Sequence, residues 1–312
     1  MQVRKSGTPG AWFRKTLKSI LSSWQLYVLI APAVIYLILF SYVPMYGVQI
    51  AFKDFHSNKG IVGSEWVGLQ HFIRFVTYPN FWTIVKNTVT LSFYNLILFP
   101  LSLIVALMLN EVENIGFKKT AQMVIYAPHF MSTVVICSMV TLFFSRANGL
   151  VNNVRELMGL ERIAYMESPA AFKHLYIWSG KWQNTGWDTI IYISALASIS
   201  PELIEAAKID GANRLQIIWH VNIPTILPTV IIMLILKCGH VLSVGFEKVY
   251  LLQNSLNLEA SQIISTYVYT IGLQSGQYSY SSAIDLFNTV INIIFVMTVN
   301  AISKRVSEVG LW

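Results

Sequence analysis

Seven side chains fall within one short stretch: Trp178, Lys181, Trp182, Gln183, Asn184, Trp187 and Asp188. Aromatic rings interleaved with hydrogen-bonding groups suit a sugar, whose apolar ring faces stack while its hydroxyls bond. The same residues also suit a helix entering the outer interface of a membrane, where Trp and Lys are common. Lys181 and Asp188 lie two helical turns apart, so they share a face and could pair loosely. Further on, Lys237 and His240 interrupt one apolar run, and Asp285 sits near the start of another. Ionisable groups in such runs are costly and usually face a cavity or a partner helix. A Lys237–Asp285 pair is one way to neutralise both. The alternatives for Lys237 are snorkelling, an acid on another subunit, or an anionic sugar. His240 reads more simply as a structural hydrogen bonder, and Asn288, Asn292 and Asn300 as bonds between helices.

A second constellation runs from Ser200 to Pro228. Ser200 is a good N-cap and Pro201 suits the first helical position, where its missing N–H costs nothing. Gly211, after Asp210, is a natural stop because it tolerates positive φ. A second short helix is expected over 212–221, ending before Pro224. Leu203, Ala206, Ala207 and Asp210 line neighbouring turns, and the two alanines make a small patch on which a partner surface can sit close. Glu202 and Glu205 complement the helix dipole in the first turns. Ile217, Ile218 and Trp219 are placed to anchor the insert to neighbouring apolar helices.

Other chemistries find little support. There is no G-x-x-x-x-G-K-[ST] loop to cradle phosphates, no H-E-x-x-H and no G-x-S-x-G, and the six histidines are scattered. No metal site is expected. Cys137 and Cys238 lie in apolar runs without C-x-x-C spacing and read as small buried hydrophobes. The net charge of +7 does not indicate nucleic acid, because the basic residues cluster beside apolar runs rather than along one face.

The elements that must position these groups follow from composition. The chain of 312 residues is 54% hydrophobic and 12% charged, with a mean hydropathy of +0.55. A soluble domain carries about twice that charged fraction. Apolar blocks near the length needed to cross a bilayer predict spans over 26–48, 88–109, 123–144, 175–199, 226–246 and 283–302. The N-terminal Arg4, Lys5, Arg14, Lys15 and Lys18 place that end in the cytoplasm and mark the first apolar run as a retained helix rather than a signal peptide. Lys118, Lys119, Lys208, Arg214, Lys304 and Arg305 then fall on the same side, with a lower density of basic residues opposite. Trp66, Phe72, Phe75, Tyr78, Phe81 and Trp82 read as an outer aromatic belt. Leu150, Val154 and Leu157 mark a short amphipathic helix over 149–160.

One resemblance draws these features together. Glu205-Ala206-Ala207, three residues, Gly211, nine residues, then Val221-Asn222-Ile223-Pro224 resembles the E-A-A-x3-G-x9-I-x-L-P loop of permeases in binding-protein-dependent ABC importers. Val221 and Ile223 depart from it only by apolar exchange. Asp210-Gly211-Ala212 and Pro228 fit the oligosaccharide-uptake branch. Asn87-Thr88, Tyr126-Ala127-Pro128, Gly149-Leu150-Val151-Asn152 and the Gly-Leu-Trp terminus extend the likeness over most of the chain from residue 25 onward.

The resemblance implies an all-α polytopic membrane protein with six transmembrane helices, both termini cytoplasmic and a coupling-helix insert before the fifth span. Tails at 1–25 and 303–312 would flank a transmembrane domain at 26–302. It implies a permease subunit in a prokaryotic cytoplasmic membrane, without catalytic activity, importing sugars and in particular oligosaccharides. Its partners would be membrane lipid, a second homologous permease, a cytoplasmic ABC ATPase dimer that binds the ATP, and an extracytoplasmic sugar-binding protein. No cofactor of its own and no nucleic acid are expected. Glu205, Ala206, Ala207, Asp210, Gly211 and Pro224 would couple it to the ATPase. The rivals are an importer for another solute such as a peptide, or an ion-gradient carrier using Asp188, Lys237 and Asp285 as a relay.

Overall fold

The computed structural model describes residues 22–239, 242, 244–307 and 310. His240, most of the N-terminal tail with its five basic residues, and Leu311-Trp312 lie outside the described residues.

Among the described residues, four helices are long and apolar enough to cross a bilayer, and six spans result if two bent pairs each count as one. We label the elements that build the site. Helix α1 is Trp24–Phe52 and α2 is Phe81–Asn110. Helices α3 (Ile115–Phe130) and α4 (Thr133–Phe143) meet at 97°, and α5 (Pro169–Ala197) and α6 (Pro201–Ile209) at 73°. Helix α7 is Arg214–Cys238, α8 is Phe246–Leu252 and α9 is Tyr278–Ser307.

The bends have local causes. The run 123–144, expected as one span, breaks because Ala127–Phe130 tightens around Pro128 and Ser132 starts a new helix, its side chain accepting from the Val135 N–H at 3.3 Å. In α1 the backbone widens into a π-helical turn over Ile38–Tyr42, just ahead of Pro44, whose ring crowds the carbonyl four residues back. A second π-turn at Ile218–Asn222 precedes Pro224 for the same reason. The separate short helix expected over 212–221 is therefore not found. Its residues are the first turns of α7, which begins at an Asn213–Gln216 capping box and passes through Pro224 unbroken.

Helix α5 is the hub, packing against α2, α3, α4, α7 and α8. Gly186 permits the closest approach: a Cβ there would run into the Ile125 carbonyl of α3. One apolar core joins Ala106, Leu107, Tyr192, Leu196 and Ile226 at one end of the bundle, and another joins Leu91, Cys137, Phe172, Ile177 and Val249 further along. Both cysteines are buried and free, as expected. The predicted aromatic belt is split. Phe75 and Phe81 are core, packed on Tyr267 and Tyr280, whereas Trp66 and Trp82 are exposed. Helix α1 stands apart: in it only Ala51 is buried, at the end that meets α9. The short helix Leu150–Leu157 forms as predicted, with Leu150, Val154 and Leu157 all exposed and Asn152 holding it down through the Ser145 and Ile163 carbonyls.

Candidate functional site: a polar cleft and an exposed helix

The polar face of α5 opens onto a cleft of about 420 Å³. Its fourth helical turn fixes the geometry. Gln183 donates to the Met131 carbonyl at 3.0 Å, tying α5 to the α3–α4 break. Asn184 donates to the Gly180 carbonyl at 3.1 Å, and its side-chain oxygen lies 3.0 Å from His129 Nδ1. The His129 ring stacks on Trp187 with centroids 4.4 Å apart and planes 9° from parallel, and Phe130 meets Trp187 edge-on. This leaves a broad aromatic surface beside amide, carboxylate and ammonium groups, the combination that binds a sugar ring.

Charge in the cleft comes from three lysines and two carboxylates: Lys181, Lys237, Lys248, Asp188 and Glu247. Lys237 on α7 pairs with Asp188 on α5 at 3.3 Å, with both side chains partly open to solvent. The Lys237–Asp285 pair, one of the alternatives for Lys237, does not form, because Asp285 lies on an exposed part of α9 while Asp188 faces the end of α7. Lys181 makes no short ion pair with Asp188, yet it lies near enough for the carboxylate to act on its charge, the loose pairing that their shared face allows. Lys181 and Lys248 are buried, and Lys248 Nζ has no hydrogen-bond partner among the described residues. A smaller void of about 80 Å³ shares Asn95, Tyr176, Lys181, Asp188 and Lys237 with the cleft and continues toward Ser102 and Met233.

Sequence candidates divide accordingly. Gln183, Asn184, Trp187, Asp188 and Lys237 meet in the cleft. Trp178 and Trp182 point to the other side of α5, into an apolar groove with Phe143 and Phe144. There Trp178 Nε1 donates to Tyr94 at 3.0 Å, and Tyr94 lies 3.0 Å from His174 Nδ1. His129, Tyr176 and Lys248 were not singled out. The Tyr126-Ala127-Pro128 turn gives a local hint of His129, but Lys248 is reachable only through tertiary packing.

Helix α6 is built differently. It starts with Pro201 in its first turn after Ser200, whose side chain makes no cap bond. It ends in a Schellman motif: Ala212 N–H donates to the Ala207 carbonyl at 2.9 Å and Gly211 N–H to Lys208 at 3.1 Å, with Gly211 at φ +79°. Glu205, Ala206 and Asp210 are exposed and Ala207 half-buried. Leu203 and Ile209 are 53% and 86% exposed, whereas Ile204 packs partly against the core. Below Gly211 a hollow of about 250 Å³ is lined by Ala207, Asp210, Ala212, Gln216 and His220. Ile217 anchors the junction in the core and Ile218 packs partly against it, whereas Trp219 stays exposed. Arg214 bridges to Glu113 at 2.6 Å, linking the start of α7 to the turn after α2.

Residues 9–308 match the family described as binding-protein-dependent transport system inner membrane component. The chain belongs to this family. It is 44% identical over 300 residues to the polygalacturonan/rhamnogalacturonan transport system permease protein YteP of Bacillus subtilis, covering 96% of this chain and 94% of that one. It is 40% identical over 288 residues to protein LplB of the same organism, covering 92% and 91%. Its backbone superimposes with a TM-score of 0.87, at 37% identity, on a chain of a bacterial ABC transporter involved in import of the acidic polysaccharide alginate, covering 94% of this chain and 99% of that one. It matches equally well, with a TM-score of 0.87 at 37% identity, a chain of a bacterial alginate ABC transporter in complex with an alginate pentasaccharide-bound periplasmic protein. This chain is a polytopic, mainly helical membrane permease.

Proposed function

We propose that this chain is a permease subunit of an ATP-driven importer carrying oligosaccharides across the cytoplasmic membrane, and that it performs no catalysis itself. The observation that carries this reading is the near-full-length likeness, in sequence and backbone, to permeases whose names and complexes specify polysaccharide import. The architecture is six spans, formed by α1, α2, the bent α3–α4 pair, α5, α7 and α9, with both termini in the cytoplasm and α6 outside the spans. Helix α6 is the coupling helix. Its exposed Glu205, Ala206, Ala207 and Asp210 seat against a separate ATPase dimer, which binds the ATP, and Gly211 and Pro224 shape its junction with α7. A second permease, a solute-binding protein outside and surrounding lipid complete the assembly. The uncovered length of α1 is an apolar surface for lipid and for the second permease.

The geometry supports a simple mechanical route. Helix α7 is a rod about 37 Å long at 1.5 Å per residue. One end joins α6 through the Schellman turn and is tied to the turn after α2 by the Arg214–Glu113 bridge, and the other carries Lys237 into the cleft against Asp188. ATPase closure that displaces α6 moves α7 as a unit, shifting Lys237 relative to α5 and reshaping the cleft. Trp187 and His129 supply the stacking surface for a sugar ring, and Asn184, Asp188 and Lys237 bond its hydroxyls. The ion-gradient carrier is disfavoured because Asp285, its third relay group, lies outside the cleft.

Uptake by the complete complex in proteoliposomes tests the reading. It requires both ATP and the binding protein. Uptake driven by a proton or sodium gradient alone contradicts it.

A further inference from the structure

Among the described residues, Lys248 is a buried lysine whose charge meets no counter-ion. Only 8% of it is exposed, yet its Nζ forms no hydrogen bond or ion pair among the described residues. The Tyr176 ring centre lies 5.9 Å from this nitrogen, and a Cβ added at Gly180 would come within 3.4 Å of it. That contact seats Lys248 against the backbone immediately before Lys181, the other buried lysine of the cleft. Gly180 leaves the room in which the ammonium sits.

A buried ammonium without a counter-ion is costly, and proteins usually pair it. Here the available carboxylates are otherwise placed: Asp188 holds Lys237, and Glu247 is exposed at the rim. The cleft therefore presents to whatever enters it one buried ammonium, that of Lys248, without a partner among the described residues, beside the buried Lys181. A counter-ion that arrives with the cargo resolves this. It would be absent at rest and present during transport, which a permanent internal carboxylate could not be. We propose that Lys248, with Lys181, reads a carboxylate on the transported oligosaccharide, so that this permease favours uronate-bearing chains over neutral ones. This rests on the importer reading above and narrows its substrate class. The acidic polymers in the descriptions of the YteP relative and the alginate transporter agree with it in chemistry.

The test is equilibrium binding to the assembled transporter in lipid nanodiscs, without the binding protein. The probes are tri-galacturonate and its fully methyl-esterified, uncharged counterpart, with Lys248→Gln and Lys248→Arg as variants. The wild type should bind the acid at least tenfold tighter than the ester. Lys248→Gln should weaken binding of the acid far more than binding of the ester, removing most of that preference, and Lys248→Arg should keep it. Equal binding of acid and ester by the wild type overturns the proposal. So does a Lys248→Gln variant that weakens both ligands alike, the result expected if the counter-ion is an acid on the second permease. Failure of both ligands to bind the wild type overturns it too. ATP-dependent uptake measured in parallel keeps the readings apart: if uptake persists without charge preference, the importer stands and only the carboxylate subsite falls.

Discussion

The two ends of α7 show two ways of building function. At one end, α6 is local: its start, its stop and its exposed face all come from about a dozen consecutive residues, and almost nothing covers it. At the other, the cleft gathers side chains from α2, the α3–α4 break, α5, α7 and α8, separated by up to 153 positions between Asn95 and Lys248. A contiguous element can be altered without disturbing the bundle. A distributed one cannot, because each of its members also packs a helix.

Two glycines make that contrast measurable. Gly186→Val on α5 should produce the largest effect, loss of most folded protein from the membrane. Its side chain would meet the Ile125 backbone, and overpacking costs about 1–3 kcal/mol or more. Fluorescence-detected gel filtration of the detergent extract checks it. Gly211 has open space around it, so substitutions there should spare folding and strike coupling. If Gly186→Val accumulates normally, the close approach of α3 and α5 is wrong.

The Lys237–Asp188 pair gives an intermediate effect. Lys237→Met or Asp188→Asn alone should lower uptake about tenfold, since each leaves its partner unpaired beside the cleft. The double variant should lose less than the two losses multiplied. A coupling energy of about 1 kcal/mol is expected from so partly exposed a pair, read from a double-mutant cycle on uptake rates. Strict additivity would mean that the two charges do not act together.

The smallest effect belongs to the exposed Arg214–Glu113 bridge. Arg214→Ala should reduce stimulated ATP hydrolysis no more than about threefold, and less at high salt, because such pairs contribute about 0–1 kcal/mol. A hundredfold loss would show that the tie between α7 and the turn after α2 carries coupling alongside the Schellman turn.

Legibility in the sequence followed the same division. Gly211 at positive φ, Pro201 in the first turn and the exposed Glu205 and Ala206 were all readable, because capping and turn chemistry act over a few residues. Trp187, Asn184, Asp188 and Lys237 were found as ionisable or aromatic interruptions of apolar runs. Their partners were not. Periodicity carries no information on which helices touch, so Asp188 rather than Asp285 as partner of Lys237, and Lys248 as a cleft residue, appear only in three dimensions. The 212–221 segment misled for another reason. Pro224 reads as a stop, but a π-turn absorbs it and the helix continues.

The most direct test of the account is Gly211→Pro in the complete transporter, measuring ATP-driven uptake together with binding-protein-stimulated ATP hydrolysis. Proline cannot adopt φ near +79° and lacks the N–H that bonds Lys208, so the junction of α6 with α7 should be lost while the bundle remains intact. The predicted result is normal insertion and assembly with both activities abolished. Wild-type uptake and stimulation in that variant would contradict the assignment of α6 as the element that receives the ATPase stroke.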